Sequence, residues 1–272
     1  MKHINHNAMS ESLYVIKIGG NVIDNTEACS RFLAAFAKLP GMKILVHGAG
    51  KVATQIAAKL QIETQMVDGR RITDKPMLDV VTMVYGGLVN KNLVAGLQSL
   101  GCNAIGLTGA DGGIIRSIKR PVKTIDYGWV GDINIADLHT DNLILFLQNG
   151  LRPVFAPLTH DNQGHMLNTN ADTIASTVAV ALSALYDVRL VYCFEKKGVL
   201  ENVEDENSVI NLINKEKYAV LKKDNKLFAG ILPKIDTAFA AIDAGVKEVL
   251  IGDAKDLTHN TTKTTKGTLI TK

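Results

Sequence analysis

Val15-Ile16-Lys17-Ile18-Gly19-Gly20 and Leu45-Val46-His47-Gly48-Ala49-Gly50 are two short apolar runs, each ending in glycines. Runs of this length, rich in β-branched residues, predict buried strands that lead into turns. Glycines after a strand let backbone N–H groups approach anionic oxygens, because no Cβ stands in the way. A third segment, Gly230-Ile231-Leu232-Pro233-Lys234, brings a second lysine from far downstream. Two lysines beside glycine turns predict a phosphate-binding centre suited to phosphoryl transfer.

The rest of the chain predicts an α/β fold. Apolar runs alternate with segments of helical period almost from end to end, which is typical of a central, mainly parallel sheet with helices on both faces, a three-layer sandwich. Residues 113–135 break this alternation and predict hairpins that form a lid over a small substrate. The predicted strands are residues 13–18, 43–47, 103–107, 153–156, 188–192, 246–251 and 268–270.

Composition excludes several classes of function. The chain has 272 residues, of which 46% are hydrophobic and 21% charged, as in ordinary globular proteins. Its net charge of +3 is small and its basic residues are spread out, so neither a nucleic acid nor a membrane is an expected partner. Three isolated cysteines without C-x-x-C spacing predict a reduced, cytoplasmic protein without disulfides or a zinc site. Residues 1–12 are expected to form a disordered tail.

The two glycine motifs also have other interpretations. A strand ending in a flexible turn, with Lys17 at the surface, would give the first motif by chance. The segment Gly48-Ala49-Gly50-Lys51-Val52-Ala53 matches the G-x-G-x-x-A fingerprint of dinucleotide-binding proteins, with Asp68 near the expected acidic position. That reading places the fingerprint after the second strand and leaves Lys17 without a role. His47 is expected to be a packed or hydrogen-bonded strand-end residue rather than a base.

Two further segments carry candidate substrate ligands. Arg70 and Arg71 precede a predicted helix, and arginine binds carboxylates in a bidentate manner, although a surface pair is the alternative. In an extended segment Asn168, Asn170 and Asp172 would share one face. Alternatively, Asn170 or Asp172 caps the next helix, and both roles can hold for different residues.

No serine–histidine–aspartate set, reactive cysteine or metal-ligand cluster stands out in the sequence. A carboxylate acceptor would need no general base, because it is already deprotonated near neutral pH. The task is then to overcome repulsion between two anions, which lysines, glycine amides and helix N-termini do by preorganised electrostatics.

These residues resemble the amino acid kinase superfamily, and within it the acylglutamate kinases known as N-acetylglutamate kinases. The likeness runs from about Leu13 to about Ile251, and its order and spacing are more specific than any single glycine loop. The motifs that carry it are VIKIGG, LVHGAG, GRRITD, MVYGGLVNKN, GLTGADGG, VGDI, APLTHDNQGHMLNTNAD and GILPKID.

The resemblance implies an ATP-dependent enzyme that phosphorylates the γ-carboxylate of N-acetyl-L-glutamate, a step of arginine biosynthesis. Lys17 and Lys234 would stabilise the transferring phosphoryl group, and Asp172 would orient them. Mg²⁺ would be held through the nucleotide phosphates, with no protein ligand. The implied substrate-binding residues are Gly20, Ala49, Gly50, Arg71, Asn168 and Asn170. The implied nucleotide-binding residues are Gly19, Glu195, Lys197, Gly198, Leu200, Leu227 and Phe228.

It also implies two lobes and a homodimer. Residues 13–180 would bind the acylglutamate and form the dimer contact, and residues 181–272 would bind ATP. No long N-terminal helix resembling the arginine-sensing element of some relatives is present, which favours an uninhibited dimer.

The sequence departs from the family pattern at a few positions. Ala49 stands where a third glycine is usual, and Phe194-Glu195 replaces the common Thr/Ser–Asp pair. The segment before Lys266 is shorter than usual. Together with Tyr85-Gly86-Gly87, Ala49 could reshape the acyl pocket. The alternative that the enzyme is an N-succinylglutamate kinase therefore stays open. Kinases of other acids and a non-catalytic sensor are further alternatives.

Overall fold

A computed structural model describes residues 11–67, 69–202, 204–224, 227, 231–262 and 264–272. Residues 1–10 of the expected tail lie outside the described part, and Ser12 opens the first strand. The described strands are β1 Ser12–Ile18, β2 Met42–His47, β3 Met66–Val67, β4 Arg70–Arg71, β5 Ala104–Leu107, β6 Ile118–Lys119, β7 Gly131–Asp132, β8 Arg152–Phe155, β9 Leu158–His160, β10 Met166–Asn168, β11 Asp187–Phe194, β12 Leu212–Ile213, β13 Glu248–Asp253 and β14 Thr268–Ile270.

Helices connect most of these strands. The α-helices are α1 Gly20–Asp24, α2 Thr26–Lys38, α3 Gly50–Lys59, α4 Lys75–Val81, α5 Asn90–Ser99, α6 Asp141–Gln148, α7 Ala171–Leu182, α8 Lys215–Lys223, α9 Leu232–Asp243 and α10 Leu257–Asn260. A π-helical segment, Thr82–Val89, joins α4 to α5. Single 3₁₀ turns occur at Asp111–Gly113, Ile135–Asp137 and Ala254–Asp256.

The main sheet has eight strands in the order β12-β14-β13-β11-β1-β2-β8-β5. All neighbours in it are parallel except β13 and β14, which are antiparallel. The predicted mainly parallel sheet is therefore confirmed, and each predicted strand corresponds to one of its members. The two-residue β12 at the edge, by contrast, was not predicted.

Two apolar cores lie on opposite faces of this sheet. Along β1, Val15 faces the core that α6, α7 and α9 cover, while Ile16 faces the core that α2, α3 and α5 cover. Because successive side chains of a strand alternate, Lys17 shares the face of Val15. This places the lysine on the side of the sheet where α7 begins.

Local signals position several element ends as expected. The Asp74 carboxylate accepts a hydrogen bond from Met77 N and caps α4, and Gly245, with φ +116°, follows the end of α9. Strands β6 and β7 pair antiparallel, so one hairpin is present within residues 113–135, where the sequence predicts hairpins, and their role as a lid stays a prediction. Among the described residues one helical run, Lys75–Ser99, is long and apolar enough to span a membrane, and 44% of its most apolar window is buried in the fold.

Candidate active site

Lys17 and Asp172 form an ion pair at the carboxyl end of the central strand. The Lys17 Nζ lies 2.8 Å from Asp172 Oδ1, and the lysine side chain is only 10% exposed. Asp172 belongs to the first turn of α7, the helix that packs against the same face of β1. Asp172 Oδ1 is shielded from solvent. Its contact with Lys17 is an ion pair whose angles are not those of a hydrogen bond. The pair therefore fixes the ammonium at the strand end, where ligands of open α/β sheets bind.

Lys234, in the first turn of α9, reaches the same place. Its Nζ lies 3.7 Å from the centroid of the Phe194 ring, and Lys17 Nζ lies 5.2 Å from that centroid. Because both Nζ atoms lie this close to the same ring centroid, the distance between them is at most the sum of the two values. Burial lowers the pKa of Lys234, Asp172 opposes that effect and Lys17 adds to it. The structure thus brings the two predicted lysines and the predicted aspartate into one cluster.

The two glycine turns lie against each other beside this cluster. Gly48 N donates a hydrogen bond to Ile18 O at 3.1 Å. A Cβ on Gly48 would lie 3.6 Å from Gly20 N, and one on Gly20 would lie 3.9 Å from Gly50 N. Since α1 begins at Gly20 and α3 at Gly50, the free N–H groups of two helix starts meet in one region. Such a region favours anions.

A first cavity, of about 480 Å³, opens next to these turns. Four of the predicted nucleotide residues line it, namely Gly19, Glu195, Gly198 and Leu200. Lys196, within the segment 195–200 that the resemblance assigns to the nucleotide, also lines it. The lining residues without a predicted role are Asn21, Val22, Lys51, Ile231 and Ile251. Apolar walls with a few polar groups are typical of sites for small ligands.

The remaining predicted nucleotide residues lie elsewhere or outside the described chain. Lys197 is not part of the cavity wall, and its Nζ donates to Asn207 Oδ1 at 2.9 Å. Leu227 is buried in the apolar core. Phe228 falls outside the described residues. Their contribution to nucleotide binding stays a prediction.

A second cavity, of about 870 Å³, adjoins the first. The two cavities share Gly50, Phe194 and Lys234. All other predicted substrate residues except Gly20, which lines the first cavity, lie on its wall: Ala49, Arg71, Asn168 and Asn170. Lys234 therefore stands at the junction of two compartments, as transfer of a group from one ligand to another requires. Asp172 lines the second cavity, and Lys17, which lines neither cavity, lies behind it in the ion pair.

Arg71 holds the second glycine turn in place, and both terminal nitrogens of its guanidinium group donate hydrogen bonds. Its Nη2 donates to Gly50 O and to Thr54 Oγ1, both at 2.9 Å, and its Nη1 donates to Thr64 Oγ1 at 3.3 Å. Burial raises the pKa of the neighbouring Tyr85 phenol, and Arg71 opposes that effect. Arg71 is therefore a buried anchor of the second cavity.

The asparagines resolve the alternatives that the sequence left open. The Asn170 Oδ1 accepts hydrogen bonds from Asp172 N and Thr173 N, so Asn170 caps α7. Asn168 instead donates from Nδ2 to Thr73 Oγ1 at 2.9 Å and faces the cavity. Asn170 thus caps the helix and also lies on the cavity wall, whereas Asn168 has only the cavity-facing role.

His47 is a packed residue, as predicted. It is fully buried on the face of β2 opposite to Lys17, and Asn90 Nδ2 lies 3.2 Å from its Nε2. Burial lowers the pKa of His47 to about 4, so the ring is neutral at physiological pH. It cannot serve as a base near the junction.

Comparison with known proteins agrees with this geometry. Residues 12–253 match the model of the amino acid kinase family, and the chain belongs to that family, a class of phosphotransferases. The acetylglutamate kinase of Cytophaga hutchinsonii is 58% identical over 248 residues, which cover 91% of this chain and 93% of that enzyme. The acetylglutamate kinase of Bacteroides thetaiotaomicron is 55% identical over 252 residues, covering 93% and 97%.

Solved structures have the same fold. The N-acetylglutamate synthase of Neisseria gonorrhoeae, in complex with coenzyme A and N-acetyl-glutamate, superposes with a TM-score of 0.79 at 22% identity. The match covers 96% of this chain and 59% of the synthase chain. At this level of identity the likeness shows the architecture alone.

Proposed function

We propose that the protein transfers the γ-phosphoryl group of ATP to the γ-carboxylate of N-acetyl-L-glutamate, giving N-acetylglutamyl phosphate and ADP in arginine biosynthesis. The observation that carries the proposal is the junction of two cavities at Gly50, Phe194 and Lys234, with the Lys17–Asp172 pair beside it. Relatives of more than 50% identity that are named acetylglutamate kinase support the choice of acceptor.

The first cavity takes the nucleotide in this proposal. Leu200, Ile231 and Ile251 offer an apolar wall for the base, and the glycine turns point N–H groups toward the phosphates. Among the described residues, no group of three or more His, Cys, Asp or Glu side chains could hold a metal ion. In this proposal Mg²⁺ would be held through the ATP phosphates and would supply charge neutralisation there.

The second cavity takes the acylglutamate. Its γ-carboxylate points to the junction, where the helix start at Gly50 and the ammonium of Lys234 attract it. Ala49, Arg71, Asn168 and Asn170 form the surrounding wall. No proton has to be removed, because the carboxylate is ionised at neutral pH.

Catalysis then rests on charge. Lys17 and Lys234 flank the transferring group and stabilise the negative charge that its oxygens carry in the transition state. Asp172 holds Lys17 in place and keeps the two cations in one small volume despite their mutual repulsion. Preorganisation of this kind costs no reorganisation during the reaction.

A coupled assay of ADP release tests the proposal. We expect turnover with N-acetylglutamate, and little with glutamate, aspartate or carbamate; N-succinylglutamate is measured alongside. Lys234→Ala serves as the inactive control, which separates this activity from contaminating ATPase. Nucleotide binding without ADP release from any of these acids would mark a sensor instead and reject the proposal.

We also propose two lobes, a homodimer and a cytoplasmic location. Residues 13–180 supply most of the second cavity, and residues 181–272 supply much of the first. Met83 and Leu88, on the helical run Lys75–Ser99, are 56% and 48% exposed, as expected where a second copy packs. Light scattering after gel filtration tests the dimer, and Met83→Lys should weaken it; a wild-type monomer at micromolar concentration would contradict it.

A further inference from the structure

Arg120 stands on the wall of the second cavity, on the hairpin formed by β6 and β7. The register of that hairpin pairs Lys119 with Gly131, and the next residue, Arg120, donates its N–H to Val130 O at 2.8 Å. Val130 in turn bridges to Asn168. Because paired residues of neighbouring strands share a face, the three side chains lie side by side on the cavity wall.

Its guanidinium group is fixed in place but not fully used. Nε donates to both oxygens of Asp132, at 3.0 and 3.1 Å, and Nη2 donates to Oδ1 at 2.6 Å. The Tyr127 ring lies 5.3 Å from Cζ. Nη1 is shielded from solvent, yet it has no hydrogen-bond acceptor in the described part of the chain. A shielded guanidinium nitrogen without an acceptor is unfavourable, so the site is poised to accept an anion.

We infer that Arg120 is a further substrate-binding residue, whose Nη1 takes a carboxylate of the acylglutamate that is not phosphorylated. This inference rests on the proposed function. Arg120 lines only the second cavity, whereas the reacting carboxylate must lie at the junction with the first. Both terminal nitrogens of Arg71 already donate to Gly50, Thr54 and Thr64, whereas Nη1 of Arg120 has no acceptor in the described part of the chain.

Such a carboxylate has two possible sources, the α-carboxylate of glutamate or a carboxylate on the acyl group. Three acceptors separate them: N-acetylglutamate, its α-carboxamide N-acetylisoglutamine, and N-succinylglutamate. Each is assayed with wild type, Arg120→Ala and Arg120→Lys, at saturating ATP. Arg116→Ala is the matched control, because Arg116 belongs to the same segment, pairs loosely with Asp137 at 3.9 Å and does not line the cavity.

For an α-carboxylate, wild type should show a KM for the α-carboxamide roughly 10- to 100-fold above that for N-acetylglutamate, as expected for a hydrogen bond to a charged group. Arg120→Ala should raise the KM for N-acetylglutamate by the same factor, so that it equals the KM for the α-carboxamide. The KM for ATP should not change. For a carboxylate on the acyl group, wild type should instead prefer N-succinylglutamate, and Arg120→Ala should remove that preference.

A structural role for Arg120 predicts a different result. Equal loss of kcat/KM with all three acceptors, or no loss with any, would overturn the inference. Arg120→Lys keeps a cation beside Asp132. If Arg120→Ala does not fold, the same comparison of KM values among the three acceptors is made with Arg120→Lys. If wild type releases no ADP, the proposed function fails, and calorimetric binding of N-acetylglutamate to the wild type and to Arg120→Lys still tests this residue.

Discussion

Replacing Lys234 by glutamine should lower kcat strongly, because it removes the cation at the junction of the cavities and keeps a polar side chain only one atom shorter. A unit charge about 4 Å from a phosphoryl oxygen contributes roughly 4 kcal/mol at an effective dielectric constant of about 20. That energy corresponds to about 1000-fold in rate. Since Lys234 is partly exposed, solvent reduces the effect, and we expect a loss of about 100- to 1000-fold, the usual range for a preorganised donor.

Steady-state ADP release measures this loss. The KM for N-acetylglutamate should change by less than about threefold, since the charge acts mainly in the transition state. Lys247→Gln is the matched control, because Lys247 pairs with Asp187 at 2.6 Å near the start of β11 and lines neither cavity. A decrease in kcat under threefold in Lys234→Gln, with its melting temperature unchanged, would refute the role of the lysine.

Three further predictions follow from the same structure. Asp172→Asn removes the charge that raises the pKa of Lys234, so the alkaline decline of kcat should begin at lower pH; an unmoved profile contradicts this. Gly131→Ala would place a Cβ within 2.6–2.8 Å of three buried hydroxyl oxygens, and urea unfolding should show a loss of roughly 1–3 kcal/mol. Gly87→Ala is the control: its added Cβ would meet nothing within 4 Å, so this variant should not lose stability. The neutral, buried His47, with a pKa of about 4 against 6.5 unfolded, should contribute stability above pH 6.5. That contribution, roughly 3 kcal/mol, is lost as pH falls toward 4, and His47→Gln should flatten this part of the curve.

The parallel core was predictable because its signals are local. Alternation along β1 sends Val15 and Lys17 to one face and Ile16 to the other, and this pattern can be read without knowing what covers either face. The glycines that follow β1 and β2 mark the carboxyl edge of the sheet. Fold class, most strand positions and the lysine at the strand end therefore follow from the sequence alone.

The rest of the site depends on contacts between distant segments. Phe194 is an unremarkable aromatic residue at a strand end until α9 brings Lys234 over its ring. Arg120 lies in a hairpin without a motif, and only the pairing of Val130 with Asn168 reveals that it faces the second cavity. Strands of two residues, such as β12, are too short to show a period. A signal for Arg120 would have required the register of the hairpin.

The electrostatics of the junction explain why two lysines share it. Two cations against one ring repel each other, and the lowered pKa of Lys234 reflects its burial and this repulsion. Asp172 compensates for only one positive charge, so the cluster carries an excess positive charge without its ligands. A transferring phosphoryl group, with charge on three oxygens, offsets that excess better than the acceptor carboxylate alone. In the proposed reaction we therefore expect the cluster to bind the transition state more tightly than the ground state, which is the condition for accelerating the chemical step.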